Sequence, residues 1–194
     1  MTEHWFAVDI ETTGLSPSLD MICEFGIVEV DKQTLHPMND IYSWIVNGDG
    51  QVHRIDNQIG AGAGVIRAMH KESGLFDDLR ELQPFTEGDL DVEVQGYLHD
   101  LCEKHEGILL GNTVGFDKGF IQECLPLTFD YLDYHVIDIS SITRLCEAWD
   151  NRAYEYRPVP RKRHRVVADI QDSLLQLRYY RNCGFIKYTD DPDL

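Results

Sequence analysis

Apolar residues fall into short dense runs through the first quarter of the chain and recur at helical spacing after it. Residues 4–10, 22–30 and 41–46 are rich in β-branched and aromatic side chains. Polar turns such as Asp31-Lys32 and Pro37-Met38-Asn39-Asp40 separate them. This texture predicts three strands in an antiparallel meander. Further on, a short helix is expected over 65–69. A longer one is expected over 87–105, with Leu90, Val94, Leu98 and Leu101 on one face. Ile108, Leu109 and Leu110 read as a short buried strand, followed by a loop and a helix through Phe120 and Ile121. A strand at 134–137 and a helix at 140–149 follow. The last helix, 166–183, carries Ile170, Leu174 and Leu177 in a stripe, and Gly184 stands where a helix stop belongs. Three strands followed by alternating helix and strand give an α/β mixed sheet. No repeat or interdomain linker interrupts the chain, so one domain over 1–188 is expected, with 189–194 as a frayed tail.

Composition changes this picture mainly by exclusion. A chain of 194 residues, 43% hydrophobic, suits one domain with a substantial core. No apolar run approaches the roughly 20 residues that span a bilayer, and no membrane association is expected. The five cysteines are odd in number and include no Cys-x-x-Cys pair. Buried free thiols in a reducing cytoplasm are therefore expected, rather than zinc or disulfides.

The net charge of −17 disfavours a long polyanionic ligand, whose affinity rests on many cationic contacts. The imbalance is uneven. Residues 77–106 hold ten acids and two bases, whereas 152–165 hold six bases and one acid, and that basic run contains His164. A local patch of this kind can hold one or two phosphates but cannot build a long track. The pattern points to a small phosphorylated substrate.

Candidate chemistry lies in three segments. Asp9 and Glu11, in Asp9-Ile10-Glu11-Thr12-Thr13-Gly14-Leu15, are two apart on a strand and project from the same face. Adjacent carboxylates repel unless a cation sits between them, and hard oxygen ligands select Mg²⁺ or Mn²⁺. Asp117, and His164 with Asp169, add two more carboxylates and an imidazole, a set suited to two-metal phosphodiester hydrolysis. His164 and Asp169 are about 140° apart on an ideal helix. The expected arrangement therefore places Asp169 in the first turns and His164 at or before the helix start.

These segments resemble the three exonuclease motifs of the DEDDh family: residues 9–15, Gly111-Asn112-Thr113-Val114-Gly115-Phe116-Asp117, and His164-Arg165-Val166-Val167-Ala168-Asp169. Met69-His70-Lys71-Glu72-Ser73-Gly74-Leu75, residues 134–140, Asp169-Ile170-Gln171-Asp172-Ser173 and residues 177–181 are similar to the oligoribonuclease branch. The resemblance runs in order from about residue 4 to 183. It implies an RNase H-like five-stranded mixed sheet and 3′–5′ hydrolysis of short oligoribonucleotides to nucleoside 5′-monophosphates. It also implies a homodimer. Asp9 would bridge two divalent ions, Mg²⁺ or Mn²⁺. Glu11 and Asp169 would complete one, Asp117 would act on the second, and His164 would serve as general base.

By the same resemblance, Thr13, Gly14 and Leu15 would line the substrate, with Leu15 wedged against the bases. His70 would contact it, Thr113, His135 and Ser140 would form a phosphate cap, and Tyr134 would come from the partner subunit. Thr113 stands where serine is usual, His135 where arginine is usual, and Val65 where an aromatic is expected. These departures bear on length selection rather than on catalysis. A proofreading-type DNA exonuclease is the alternative with the same core. A non-catalytic module is a third, disfavoured because all four carboxylates and the histidine are present.

Other features read more simply. Gly60-Ala61-Gly62-Ala63-Gly64 is expected to be a connection rather than a cofactor loop. Trp44 and Trp149 are expected in a core or interface. His4, His36, His53, His99 and His105 are expected to be structural or exposed. Glu81, Glu87, Asp89, Asp91 and Glu93 are expected on a solvated face.

Overall fold

The strand β1 (His4–Thr12) is the axis on which the rest is arranged. A computed structural model describes residues 3–57, 63–161 and 163–184. In it β1 joins β2 (Ile22–Val30), β3 (Tyr42–Ile45), β4 (Gly107–Gly111) and β5 (Leu132–Asp138) in one sheet of order β3-β2-β1-β4-β5. The pairs β1·β2 and β2·β3 are antiparallel; β1·β4 and β4·β5 are parallel. The expected mixed sheet, three antiparallel strands and then parallel ones, is therefore present.

The helices are α1 (Gln51–Asn57), α2 (Ala63–Glu72), α3 (Leu75–Glu81), α4 (Glu87–His99), α5 (Gly115–Cys124), α6 (Pro126–Phe129), α7 (Ile139–Trp149), α8 (Asn151–Glu155) and α9 (Val166–Asn182). Alternation along β1 separates two cores. Phe6, Val8 and Ile10 face Leu90, Val94 and Leu98 of α4 and Phe120 of α5. Ala7, on the opposite face, packs with Ile170, Leu174 and Leu177 of α9. Asp9 and Glu11 continue that second face beyond its apolar part. The strand β2 is buried at all nine positions, as a strand covered on both sides must be.

Several boundaries differ from the sequence expectation. The helix expected over 87–105 ends at His99, with Asp100 as its cap, so Leu101 lies beyond it. Its start is fixed by a capping box between Thr86 and Asp89. The helices α1, α3, α6 and α8 were not expected; each is too short to show a periodic pattern. The expected solvated acidic face holds two exceptions. Asp91 is buried and accepts the amides of Leu127 and Thr128 at 3.0 and 2.8 Å, capping α6. Glu87 is half-buried and accepts the amide of Ile22 at 2.8 Å. Trp44 packs against the core, but Trp149 is 74% exposed and is no core residue. Cys23, Cys102 and Cys146 are buried as expected, whereas Cys124 and Cys183 are half-buried. Residues 60–62 of the glycine string and the expected tail 189–194 lie outside the described residues; Ala63 and Gly64 open α2. No described helix is long and apolar enough to cross a membrane.

Candidate active site

The carboxyl ends of the parallel strands β1, β4 and β5 lie on one edge of the sheet, where open α/β sheets place their ligands. Asp9 and Glu11 stand at the end of β1. The loop after β4 leads into α5, whose first turn carries Asp117. The first turn of α9 carries Asp169, and His164 precedes its cap residue Arg165. His164 has φ 53°, a left-handed conformation that departs from the helix and frees its ring from the helical direction. This is the placement the five-residue spacing required.

One ligand atom each from Glu11, His164 and Asp169 lies within 4.8 Å of the others. His164 Nδ1 is 4.0 Å from Glu11 Oε1. Glu11 and Asp117 are buried, and Asp9 and Asp169 are half-buried. Among the described residues, none of the four carboxylates forms an ion pair with lysine or arginine. Their proton affinities record the strain. Burial, then the charges of Asp169, Glu24 and Asp117, push Glu11 up to about 8 against the opposing charge of Arg165. Burial also pushes Asp117 up to about 8, although it accepts its own amide and that of Ile10. Asp9 is raised by burial, then by Asp117, Glu11 and Asp169. Asp169 is raised by burial, against the opposing pull of His164. Clustered acids that no lysine or arginine pairs directly are a donor set that a divalent cation satisfies.

His70 adds a second sign. It is fully buried, and its Nε2 donates to the carbonyl of Thr12 at 2.8 Å. A carbonyl only accepts, so Nε2 carries the proton. Burial lowers the proton affinity of the ring. Its Nδ1 has no hydrogen-bond partner and lies 3.9 Å from Glu11 Oε2. Two acceptors facing each other call for a shared proton or a cation. The ring is buried beside Glu11, between that carboxylate and the Thr12 carbonyl.

The turn after β1 is built by its own side chains. Thr13 is fully buried; its amide donates to Met21 O and its hydroxyl accepts the Met21 amide. Both contacts hold the turn closed. A Cβ at Gly14 would meet the Asp20 carboxylate at 2.3 Å, so a side chain there would displace that carboxylate from the Ser16 amide it accepts at 3.0 Å. The turn leaves Leu15 78% exposed.

Thr113 and Ser140 follow the ends of β4 and β5, and Tyr134 and His135 lie within β5. Thr113 Oγ1 and Ser140 Oγ are 3.0 Å apart. Asp138 aligns them by accepting both backbone amides at 3.0 and 2.8 Å. Asn112 fastens this corner to α9 through Ser173 and Gln176 at 2.8 and 3.2 Å. Tyr134 is 81% exposed, with its ring centroid 3.8 Å from that of His135. His135 is held by Asp133 at 2.7 Å. Val65 lies exposed on α2. Asp138, Asn112, Glu24 and Arg165 were missed from sequence, because their roles depend on partners far along the chain.

Residues 6–177 match the RNase_T exonuclease family. The chain is 32% identical over 187 residues to an oligoribonuclease of Streptomyces avermitilis, covering 96% of this chain and 89% of that one. It is 32% identical over 181 residues to an oligoribonuclease of Tropheryma whipplei, covering 92% and 91%. The zinc-bound Escherichia coli exonuclease I–single-stranded DNA complex shares the fold, with a TM-score of 0.69 at 15% identity. That match covers 96% of this chain but 42% of the exonuclease I chain. By the match to relatives of nearly its own length, this chain is a nuclease that belongs to the oligoribonuclease family of exonucleases.

Proposed function

We propose that the protein is a 3′–5′ exoribonuclease that hydrolyses RNA of two to a few nucleotides to nucleoside 5′-monophosphates. The observation that carries this reading is the set of four uncompensated carboxylates with His164 beside them, at the strand ends of an exonuclease fold. Two divalent ions, Mg²⁺ or Mn²⁺, fit this donor set. Asp9, Glu11 and Asp169 would hold one, and Asp9 with Asp117 the other. When bound, such ions polarise the phosphodiester and stabilise charge on the attacking and leaving oxygens. His164 takes the proton of the attacking water, with Glu11 near its ring to orient it. Leu15 presses against a base, while Thr113 and Ser140 offer paired hydroxyls, and His135 a ring nitrogen, to a terminal phosphate. Thr13, Gly14 and His70 keep that surface in place from below.

A homodimer is part of the proposal. The edge strand β5 exposes Tyr134 at 81% and Val136 at 37%, which supports a second copy placing Tyr134 across the interface. A single exonuclease domain over 1–188 and a cytoplasmic location complete the reading. The latter is supported by free cysteines among the described residues.

The test is an incubation with Mn²⁺ and three substrates: an RNA dinucleotide, an RNA 20-mer and a DNA 20-mer. Preferential loss of the dinucleotide is expected. Faster loss of the DNA assigns the proofreading-type alternative, and inertness toward all three removes the catalytic reading.

A further inference from the structure

The pairing of β1 with β2 sets Gly26 opposite Asp9 and Glu24 opposite Glu11. Both partners reach α9. A Cβ on Gly26 would stand 2.8 Å from Val166 and 3.0 Å from Ile170, so the first turn of α9 rests directly on β2 there. Glu24 is 3% exposed, and Arg165 donates to it from Nε at 3.2 and 3.0 Å and from Nη2 at 3.1 Å. The same carboxylate accepts the Val166 amide at 3.3 Å, capping α9, since Arg165 at the cap position supplies no side-chain cap. Arg165 Nη1 then reaches Asp78 of α3 at 2.8 Å.

Glu24 is thus a fifth acid in the cluster, but unlike the other four it has its own cation. Stability alone does not demand this arrangement, because apolar side chains of similar volume stabilise a core equally well. A guanidinium fork on a carboxylate adds fixed geometry: it restricts rotation and translation together. Here the fixed residue directly follows His164, whose left-handed φ of 53° must be held by its surroundings. The amide of Asp169 also donates to Arg165 O at 3.0 Å, so the same residue anchors the turn that carries Asp169.

We infer that Glu24 and Arg165 are a positioning pair that holds His164 and Asp169 in place against the carboxylates of β1. The pair acts through the backbone of residues 164–169 and touches no substrate. The inference rests on the proposed role of His164, and its test therefore includes a measurement independent of turnover.

The variants are Arg165→Lys, which keeps the charge but not the fork, and Glu24→Gln combined with Arg165→Gln, which leaves no buried charge unpaired. Amide hydrogen exchange is followed over residues 163–169 and, separately, over β1 and β2, without metal. Mn²⁺ affinity, kcat and KM on an RNA dinucleotide are measured alongside. The double variant should exchange faster at 163–169 while β1 and β2 stay protected. Its kcat should fall about 10²-fold with KM within about threefold, the signature of a misplaced catalytic group. Arg165→Lys should fall between it and the parent protein. Unchanged exchange and kcat in the double variant would overturn the inference. Loss of protection throughout the sheet would also overturn it, by making the pair a general fold element. If the parent protein cleaves no RNA, the functional reading fails while the exchange comparison still decides the positioning.

Discussion

Nδ1 of His70 faces Oε2 of Glu11 across 3.9 Å, too far for a hydrogen bond, and has no other partner. The contact links the interior of the domain to its acidic cluster. It implies that His70 serves two neighbours: the Thr12 carbonyl, which it satisfies, and Glu11, whose position it limits.

His70→Phe preserves the bulk of the ring and removes both nitrogens. The Thr12 carbonyl then loses its buried donor, which costs about 1–3 kcal/mol. Thermal unfolding should show a lower midpoint, and Mn²⁺ titration a weaker affinity, because Glu11 gains freedom to turn away. A variant with the parent's Mn²⁺ affinity would show that His70 supports the fold and not the donor set.

His164 stands close enough to Glu11 and Asp169 to be either a proton acceptor or a metal ligand. His164→Ala distinguishes these roles. As the general base, its loss should lower kcat about 10²- to 10⁴-fold and leave Mn²⁺ affinity within about threefold. A parallel collapse of Mn²⁺ binding by calorimetry would make the ring a ligand and move the base elsewhere.

The acidic cluster should make the metal-free protein sensitive to pH in an uncommon direction. Glu11 and Asp117 are pushed up to about 8, whereas unfolded carboxyls release their protons near pH 4. Between those values the folded state binds more protons than the unfolded one, so stability falls as pH rises through this window. With EDTA, the thermal midpoint should be lower at pH 8 than at pH 5. Each kcal/mol is worth about 2–4 °C in a domain of this size. Added Mg²⁺ should recover most at pH 8. Asp9→Asn removes one of the repelling charges. It should raise the metal-free midpoint at pH 8 while abolishing both the Mg²⁺ rescue and turnover. A midpoint that rises from pH 5 to pH 8 in EDTA would contradict the charge assignment.

The difference between what the chain announces and what it conceals is largely one of range. The alternation of β1 is local, so the shared face of Asp9 and Glu11 was legible, as were the stripes of Leu90, Val94 and Leu98 and of Ile170 and Leu174. The spacing of His164 and Asp169 already required a break before α9, and the left-handed φ at His164 supplies it. Asp91 and Glu87 misled because a solvated acid and a buried cap share one composition. They differ only in having a partner more than thirty residues away. Glu24 and Arg165 are 141 residues apart, and neither has a local pattern that marks it. The short helix α6 is capped by Asp91 from α4, a tertiary contact that no periodicity of four residues can reveal.

The register of β1 and β2 leads to a paired test on glycines. Gly26 lies opposite Asp9, where a Cβ would penetrate Val166, while Gly96 in α4 has nothing within 4 Å of its virtual Cβ. Gly96→Ala should therefore stabilise the protein by about 0.5–1 kcal/mol, the ordinary gain for a helical glycine. Gly26→Ala should cost about 1–3 kcal/mol through overpacking. Because the clash falls on the first turn of α9, it should also displace Asp169 and lower kcat. Thermal unfolding and dinucleotide turnover on the two variants give opposite signs for stability, and a loss of turnover in Gly26→Ala alone. Equal tolerance at both positions would mean that α9 does not seat on β2 at Gly26, and the alignment of Asp169 with Asp9 would need another cause.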